Sequence, residues 1–239
     1  MRRPLLSGSI LDADFAELLR HVEAAIRGGV DLLHFDVADT SFTPTVSFGP
    51  RVAACLLRRV KVPGEAHIMV KDPDPLIRQL SEAGVSRVYL HAEASRSPFR
   101  LLAGVRDLGL EPAIALNPVT SVGSVELLLP EVSAVLVLLV EPGLGGQKML
   151  RSALRKVAQL RELSEREGYG YLIAADGGIK AENVGDVVRA GADIVVVGSA
   201  IFASGDPEAA AREVKARMLE HVGGAPVDLG RERPRPQPP

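Results

Sequence analysis

The chain has 239 residues, 46% hydrophobic and 24% charged, with a net charge of −2 and one cysteine. That length supports one large domain with a substantial core. The near-neutral charge and the 4% aromatic content, without Trp, argue against a nucleic-acid or anionic-membrane surface and against a base-stacking platform. A single cysteine excludes an internal disulfide. No apolar run approaches the ~20 residues of a membrane span. The opening MRRPLLSGSIL lacks the longer apolar stretch and cleavage site of a secretory leader, so the expected location is the cytoplasm.

Short β-rich runs and helical patterns then alternate. The first run, Leu5–Leu11, precedes a helix over Phe15–Arg27 with Phe15, Leu18, Leu19, Val22 and Ile26 on one face. A second run, Leu32–Val37, is followed by RVAACLLRRV, whose helix-like apolar spacing makes Cys55 a buried structural thiol rather than a nucleophile. Next come a strand at Gly64–Met69, a helix at Pro75–Ala83, a strand at Arg87–His91 and a helix at Pro98–Leu108. The fifth and sixth strands, Glu111–Leu116 and Ala134–Val140, follow, then a helix over Leu150–Glu167. The last two strands, Tyr171–Asp176 and Ile194–Gly198, are each followed by a helix, Ala181–Ala190 and Pro207–Val222. His21 and His221 fall within helices and read as solvent-facing.

Most of the strands are almost wholly apolar rather than alternating, as parallel strands covered on both faces should be. Several helices stop at AGV, RGGV or AGAD, where Gly can adopt the left-handed cap before the next strand. Eight such repeats across residues 1–222 predict a single-domain (β/α)8 TIM barrel, with a doubly wound open sheet as the competitor. Residues 223–239, GGAPVDLGRERPRPQPP, are rich in Pro and Arg and read as a disordered tail.

In a barrel the chemistry sits at the C-terminal strand ends. Ser9, His34, Asp36, His67 and Asp176 all fall there. A lone His at such a place is commonly a hydrogen-bonded structural residue, and a lone Asp commonly caps the next helix. Together, inward-facing carboxylates and histidines are costly to bury unless paired or metal-bound. His34, Asp36, His67 and Asp176 would form a mixed N/O site for one divalent metal, whether zinc, iron, manganese or cobalt. A second constellation reads as a phosphate cradle. EPGLGGQ after the sixth strand, DGGIK after the seventh and GSAIF after the eighth bring Gly145, Gly146, Gly177, Gly178, Gly198 and Ser199 to neighbouring strand ends. Glycines there let backbone N–H groups approach a dianion.

These pieces carry a family resemblance. SIL with ADF, HFDV, HIMV, LHAEAS, LNPVT, PGLGGQ, DGG and GSAIF occur in order from about Leu6 to Phe202, and in that order the chain resembles the ribulose-phosphate 3-epimerase family. The resemblance implies a metal-dependent isomerase of carbohydrate metabolism that inverts C3 of a ketose phosphate, most simply in the pentose phosphate pathway. It implies His34, Asp36, His67 and Asp176 as metal ligands, with Asp36 and Asp176 exchanging protons with the substrate. Ser9 would hydrogen-bond the substrate or an oxygen on the metal, and Met69 would line the reacting face. Relatives of this kind form homo-oligomers, which is the expectation here.

The chain departs from the family pattern around the substrate. DVADTSFTPT stands where DVMDGHFVPN is usual, LLVEPGLGG where MSVNPGFGG is usual, and AADGG where EVDGG is usual. The ligands survive while pocket residues such as Ala38, Thr40, Leu138, Glu141 and Leu144 differ, so allulose 6-phosphate or a tetrulose 4-phosphate stands as an alternative substrate. Glu141 is expected to point away from the phosphate loop or to pair with Lys148 or Arg151. His91 and Glu93 read as support behind the site, and Asn117 as a turn former. A non-catalytic sugar-phosphate-binding barrel is the other functional class. A related decarboxylase would need an Asp-x-Lys-x-x-Asp array, and a Schiff-base lyase a strand-borne Lys; the sequence has neither.

Overall fold

In the computed structural model, residues 3–223 are described. Eight parallel strands close into a barrel in sequence order, β1 pairing with both β2 and β8. They are β1 Leu5–Ser9, β2 Leu32–Ala38, β3 Gly64–Met69, β4 Arg87–His91, β5 Glu111–Leu116, β6 Ala134–Leu138, β7 Leu172–Asp176 and β8 Ile194–Val197. The helices are α1 Leu18–Arg27, α2 Pro50–Leu57, α3 Asp74–Glu82, α4 Pro98–Asp107, α5 Leu154–Glu167, α6 Val184–Arg189, α7 Ser199–Phe202 and α8 Pro207–Glu220.

The barrel has two cores because strand side chains alternate between faces. Outward residues such as Phe35, Ile68, Leu90, Ile114 and Val195 pack under the helices. Inside, Ala113, Ala115, Ala134, Leu136, Leu138 and Ala174 form a smaller apolar floor with Tyr89, Ile194 and Val196. The many alanines leave room above that floor for polar side chains.

Several boundaries differ from the sequence expectation. The first strand ends at Ser9, whose Oγ accepts from Leu11 N at 3.4 Å and starts a 3-10 turn over Ile10–Asp12. Helix α1 begins at Leu18 rather than Phe15, because Asp14 Oδ1 accepts from Ala16 N and holds the preceding residues in turns. Phe15 is exposed, its ring centroid 5.6 Å from that of Phe48. Between β5 and β6 a 3-10 helix, Val122–Glu131, fills the interval; Gly123 and Pro130 disfavour an α-helix there.

Cys55 is exposed, not buried. Ala53 and Leu56 supply the buried face of α2, and Cys55 lies off that stripe. His221 follows α8 instead of lying in it, and its Nδ1 is 2.7 Å from Arg189 Nη1, so it packs on α6 rather than facing solvent. His21 is likewise half-buried, with Nδ1 sealed from solvent. Of the expected tail, residues 224–239 lie outside the described residues.

Candidate metal centre and active site

Strand β2 delivers His34 and Asp36 to the barrel interior, two residues apart on one face, while Phe35 points outward toward Phe48. Register places Asp36 beside His67 on β3, and Leu138 on β6 beside Asp176 on β7. His34, Asp36, His67 and Asp176 each offer a ligand atom within 4.8 Å of the others. Sequence-distant strand ends thus meet at one point.

Partners behind the cluster hold it. His34 Nδ1 lies 3.0 Å from Glu65 Oε1, and Glu65 also accepts from Ser7 Oγ at 2.7 Å and Tyr89 OH at 2.9 Å. Ser9 Oγ donates to Asp36 Oδ2 at 2.6 Å. His67 Nδ1 lies 3.0 Å from the other Asp36 oxygen, and its Nε2 lies 2.8 Å from His91 Nε2. His34 Nε2 is buried with no hydrogen-bond partner, 3.6 Å from Asp36 Oδ1.

Electrostatics show what the cluster lacks. Burial pushes Asp176 up to about 7, and the nearby Asp36 charge adds to the rise. Burial also opposes ionisation of Asp36, yet His34 and His67 hold its carboxyl well below the ordinary range. His67 falls to about 4, chiefly through burial. His34 moves the other way: burial disfavours its charge, but Asp36 and Glu65 together raise it well above its ordinary value. The clustered carboxylates therefore favour positive charge at their centre. A partnerless buried nitrogen, two imidazoles and two carboxylates fit a divalent cation, which would supply that charge.

The cleft above the cluster, a cavity of about 70 Å³, is lined by Ser9, Asp36, His67, Met69 and Asp176 together with Gly145, Gly146, Gly177, Gly178, Gly198 and Ser199. Both expected constellations thus open into one space, with His34 fully buried beneath it. Gly178 has φ +64, and a Cβ there would come 2.6 Å from Gln147 O, so the backbone itself forms the wall. Glu141 is exposed, and Arg151 pairs with Asp186 at 2.6 Å instead. Thr40, where the family pattern has Gly, keeps a left-handed φ of +72. Asn117 forms the expected turn, its carbonyl accepting from Thr120 N at 3.1 Å.

Three residues in or under the site escaped the sequence reading. Glu65 lies two before His67 and so shares its inward face; a charged residue in GEAHIMV was the available signal. Tyr89 sits fully buried beside Glu65, and its apolar run gave no sign of a hydrogen-bonded hydroxyl. Asp12 lines the cleft beside Gly145, and burial followed by the Asp36 charge raises its carboxyl.

Residues 5–202 match the model of the ribulose-phosphate 3 epimerase family. The chain belongs to that family. It is 38% identical to ribulose-phosphate 3-epimerase of Aquifex aeolicus, over 91% of this chain and 98% of the relative. It is 32% identical to the protein of that name from Escherichia coli K12, over 92% and 98%. Among solved structures it resembles KGPDC from Streptococcus mutans (TM-score 0.70, 15% identity, 92% of this chain and 99% of that one). It also resembles 3-hexulose-6-phosphate synthase from Salmonella typhimurium (TM-score 0.67, 21% identity, 91% and 99%). At those identities the likeness is one of fold. Family membership makes the chain an epimerase, within the isomerases. No helix among the described residues is long and apolar enough to cross a membrane.

Proposed function

We propose that this epimerase inverts C3 of a ketose phosphate, with D-ribulose 5-phosphate and D-xylulose 5-phosphate as the substrate pair, and that Asp36 and Asp176 are its proton-transfer residues. The observation that carries the reading is the meeting of two carboxylates from β2 and β7 in a cleft shared with the glycine loops. A zinc, iron, manganese or cobalt ion held by His34, Asp36, His67 and Asp176 would act there as a Lewis acid toward the negative charge developing on substrate oxygens.

The protein's own groups do the rest. The C3 hydrogen is acidic because the electron pair left behind delocalises into the C2 carbonyl, giving a planar enediolate. Asp36 or Asp176 takes that proton on one face, and the other carboxylic acid returns a proton to C3 on the opposite face, so the configuration inverts. Ser9 donates to the ligand carboxylate Asp36 and lines the cleft, where its hydroxyl oxygen would still accept a hydrogen bond from the substrate. Met69 lines the cleft, where it would limit water near the reacting carbon. Gly145, Gly146, Gly177, Gly178, Gly198 and Ser199 would present backbone N–H groups to the phosphate.

A second substrate reading, allulose 6-phosphate or a tetrulose 4-phosphate, draws on one observation: the Asp12 carboxylate stands against Gly145 in the cleft. The proposal extends to a homo-oligomer in the cytoplasm, supported by family membership.

The test is turnover of D-ribulose 5-phosphate by metal-loaded protein, beside D-allulose 6-phosphate and D-erythrulose 4-phosphate, with and without chelator. Chelator-sensitive conversion with the highest kcat/KM for the pentulose is expected. A higher kcat/KM for another ketose would reassign the substrate. Binding without any turnover would leave a sugar-phosphate-binding barrel.

A further inference from the structure

A chain of hydrogen bonds runs outward from His67 to the rim of the barrel. His67 Nε2 lies 2.8 Å from His91 Nε2, and His91 Nδ1 lies 3.1 Å from Glu93 Oε2. The other Glu93 oxygen accepts from the backbone N–H of Asn117 at 3.1 Å and from the Thr120 hydroxyl. Lys156 Nζ braces that turn by donating to Asn117 O at 2.5 Å. Phe42 covers the His91 ring, with centroids 4.4 Å apart. Partial burial works against ionisation of Glu93, but its donors hold the carboxyl down at about 2.

The direction of every bond in this chain follows from its outer end. A carboxylate accepts and cannot donate. His91 Nδ1 therefore carries the hydrogen toward Glu93, and a neutral His91 is left with a bare Nε2. That nitrogen can only accept, so His67 Nε2 must carry the hydrogen between the two rings. A neutral His67 then has a bare Nδ1, the nitrogen that faces Asp36 Oδ1 at 3.0 Å. In that neutral tautomer no hydrogen lies between the two lone-pair atoms, and a bound cation would reconcile them.

We infer that Glu93, acting through His91, is a positioning residue that sets the tautomer of His67 and so makes Nδ1 its metal-binding nitrogen. The inference rests on the metal-dependent function proposed above. His34 reaches the same condition differently: Glu65 holds its Nδ1 directly and leaves Nε2 bare. The two histidines thus serve the cluster through opposite ring nitrogens, one oriented by direct contact and one by a relay.

Glu93→Gln reverses the relay with little change of shape. Asn117 N–H still needs an acceptor, so the amide oxygen stays there and the NH2 faces His91 Nδ1. His91 then donates from Nε2, His67 accepts at Nε2, and its hydrogen moves to Nδ1. Two measurements on the full chain test this. In cobalt(II) titrations the Glu93→Gln protein is expected to bind roughly 10- to 100-fold more weakly than wild type. In 15N spectra of the metal-free proteins, His67 is expected to be protonated at Nε2 in wild type and at Nδ1 in the variant. A purely structural role for Glu93 would lower the unfolding midpoint without exchanging the two nitrogens. Wild-type affinity in the variant, or a wild-type His67 protonated at Nδ1, would overturn the relay. A wild-type chain that binds no cobalt(II) would instead overturn the metal reading, and this role with it. If the variant fails to fold, the wild-type spectrum alone decides.

Discussion

The inward positions of β1 to β4 and those of β5 to β8 are filled by different chemistry. The first half carries Ser7, Ser9, His34, Asp36, Glu65, His67, Tyr89 and His91, all buried. The second half carries Ala113, Ala115, Ala134, Leu136, Leu138, Ala174, Ile194 and Val196, with Asp176 as its ionisable contribution to the cluster. A cation needs several charged or lone-pair groups held at fixed positions, which only hydrogen-bonded side chains provide. A phosphate is better served by backbone N–H groups, which require small residues and tight glycine turns. Under the proposed function, one half would work through side chains and the other through space and main chain. Asp176 crosses that division, which is how two carboxylates can face a substrate from different directions.

Removing the crossing residue should break the comparison most severely. Asp176→Asn and Asp36→Asn are each expected to lower kcat by roughly 10²- to 10⁴-fold in a folded protein. Stopped-assay kinetics with circular dichroism as the folding control check this, and near-normal turnover in either variant would refute the paired-carboxylate mechanism.

The side-chain half has its own weak point at Glu65, which is almost fully buried and bridges His34, Ser7, Tyr89 and Arg87, the last at 3.3 Å. Glu65→Ala removes the acceptor of the buried Ser7, Tyr89 and His34 groups and leaves Arg87 with Glu111, and is expected to cost about 3–5 kcal/mol in urea unfolding. Glu65→Gln keeps an acceptor and should cost much less. Equal losses for both substitutions would show that the carboxylate charge, which both remove, matters more at this position than the side chain's packing and its remaining acceptor.

The main-chain half should respond in binding rather than in stability of the charge network. Gly178→Ala pushes a Cβ against Gln147 O and Met149 N at a left-handed φ. Loss of one charge-assisted hydrogen bond, about 1.5–3 kcal/mol, should raise KM roughly 10- to 100-fold with a smaller change in kcat. An unchanged KM would place the phosphate elsewhere.

Much of this was legible before the fold was known. HFDV, HIMV and DGG put ionisable residues at the ends of apolar runs, and two-residue spacing placed His34 and Asp36 on one face. The order of motifs carried the family. What remained hidden was of another kind. Cys55 looked buried because helix-like apolar spacing marks a helix but does not say which side of a short stripe reaches the core. Glu65 and Tyr89 lay inside runs already assigned to packing, and their partners come from β1, β2 and β4.

The sequence by itself determined the alternation of strands and helices, the barrel, the ligand residue types and the glycine loops, because each depends on local pattern and spacing. Tertiary structure alone decided which atoms meet. Closure between β1 and β8 and the strand register bring Ser9 to Asp36, Glu65 to His34 and Glu93 through His91 to His67. Hydrogen bonds and desolvation act over a few ångströms between residues far apart in the chain, so the nitrogen each histidine offers, and the proton each carboxylate keeps, are properties of the closed barrel.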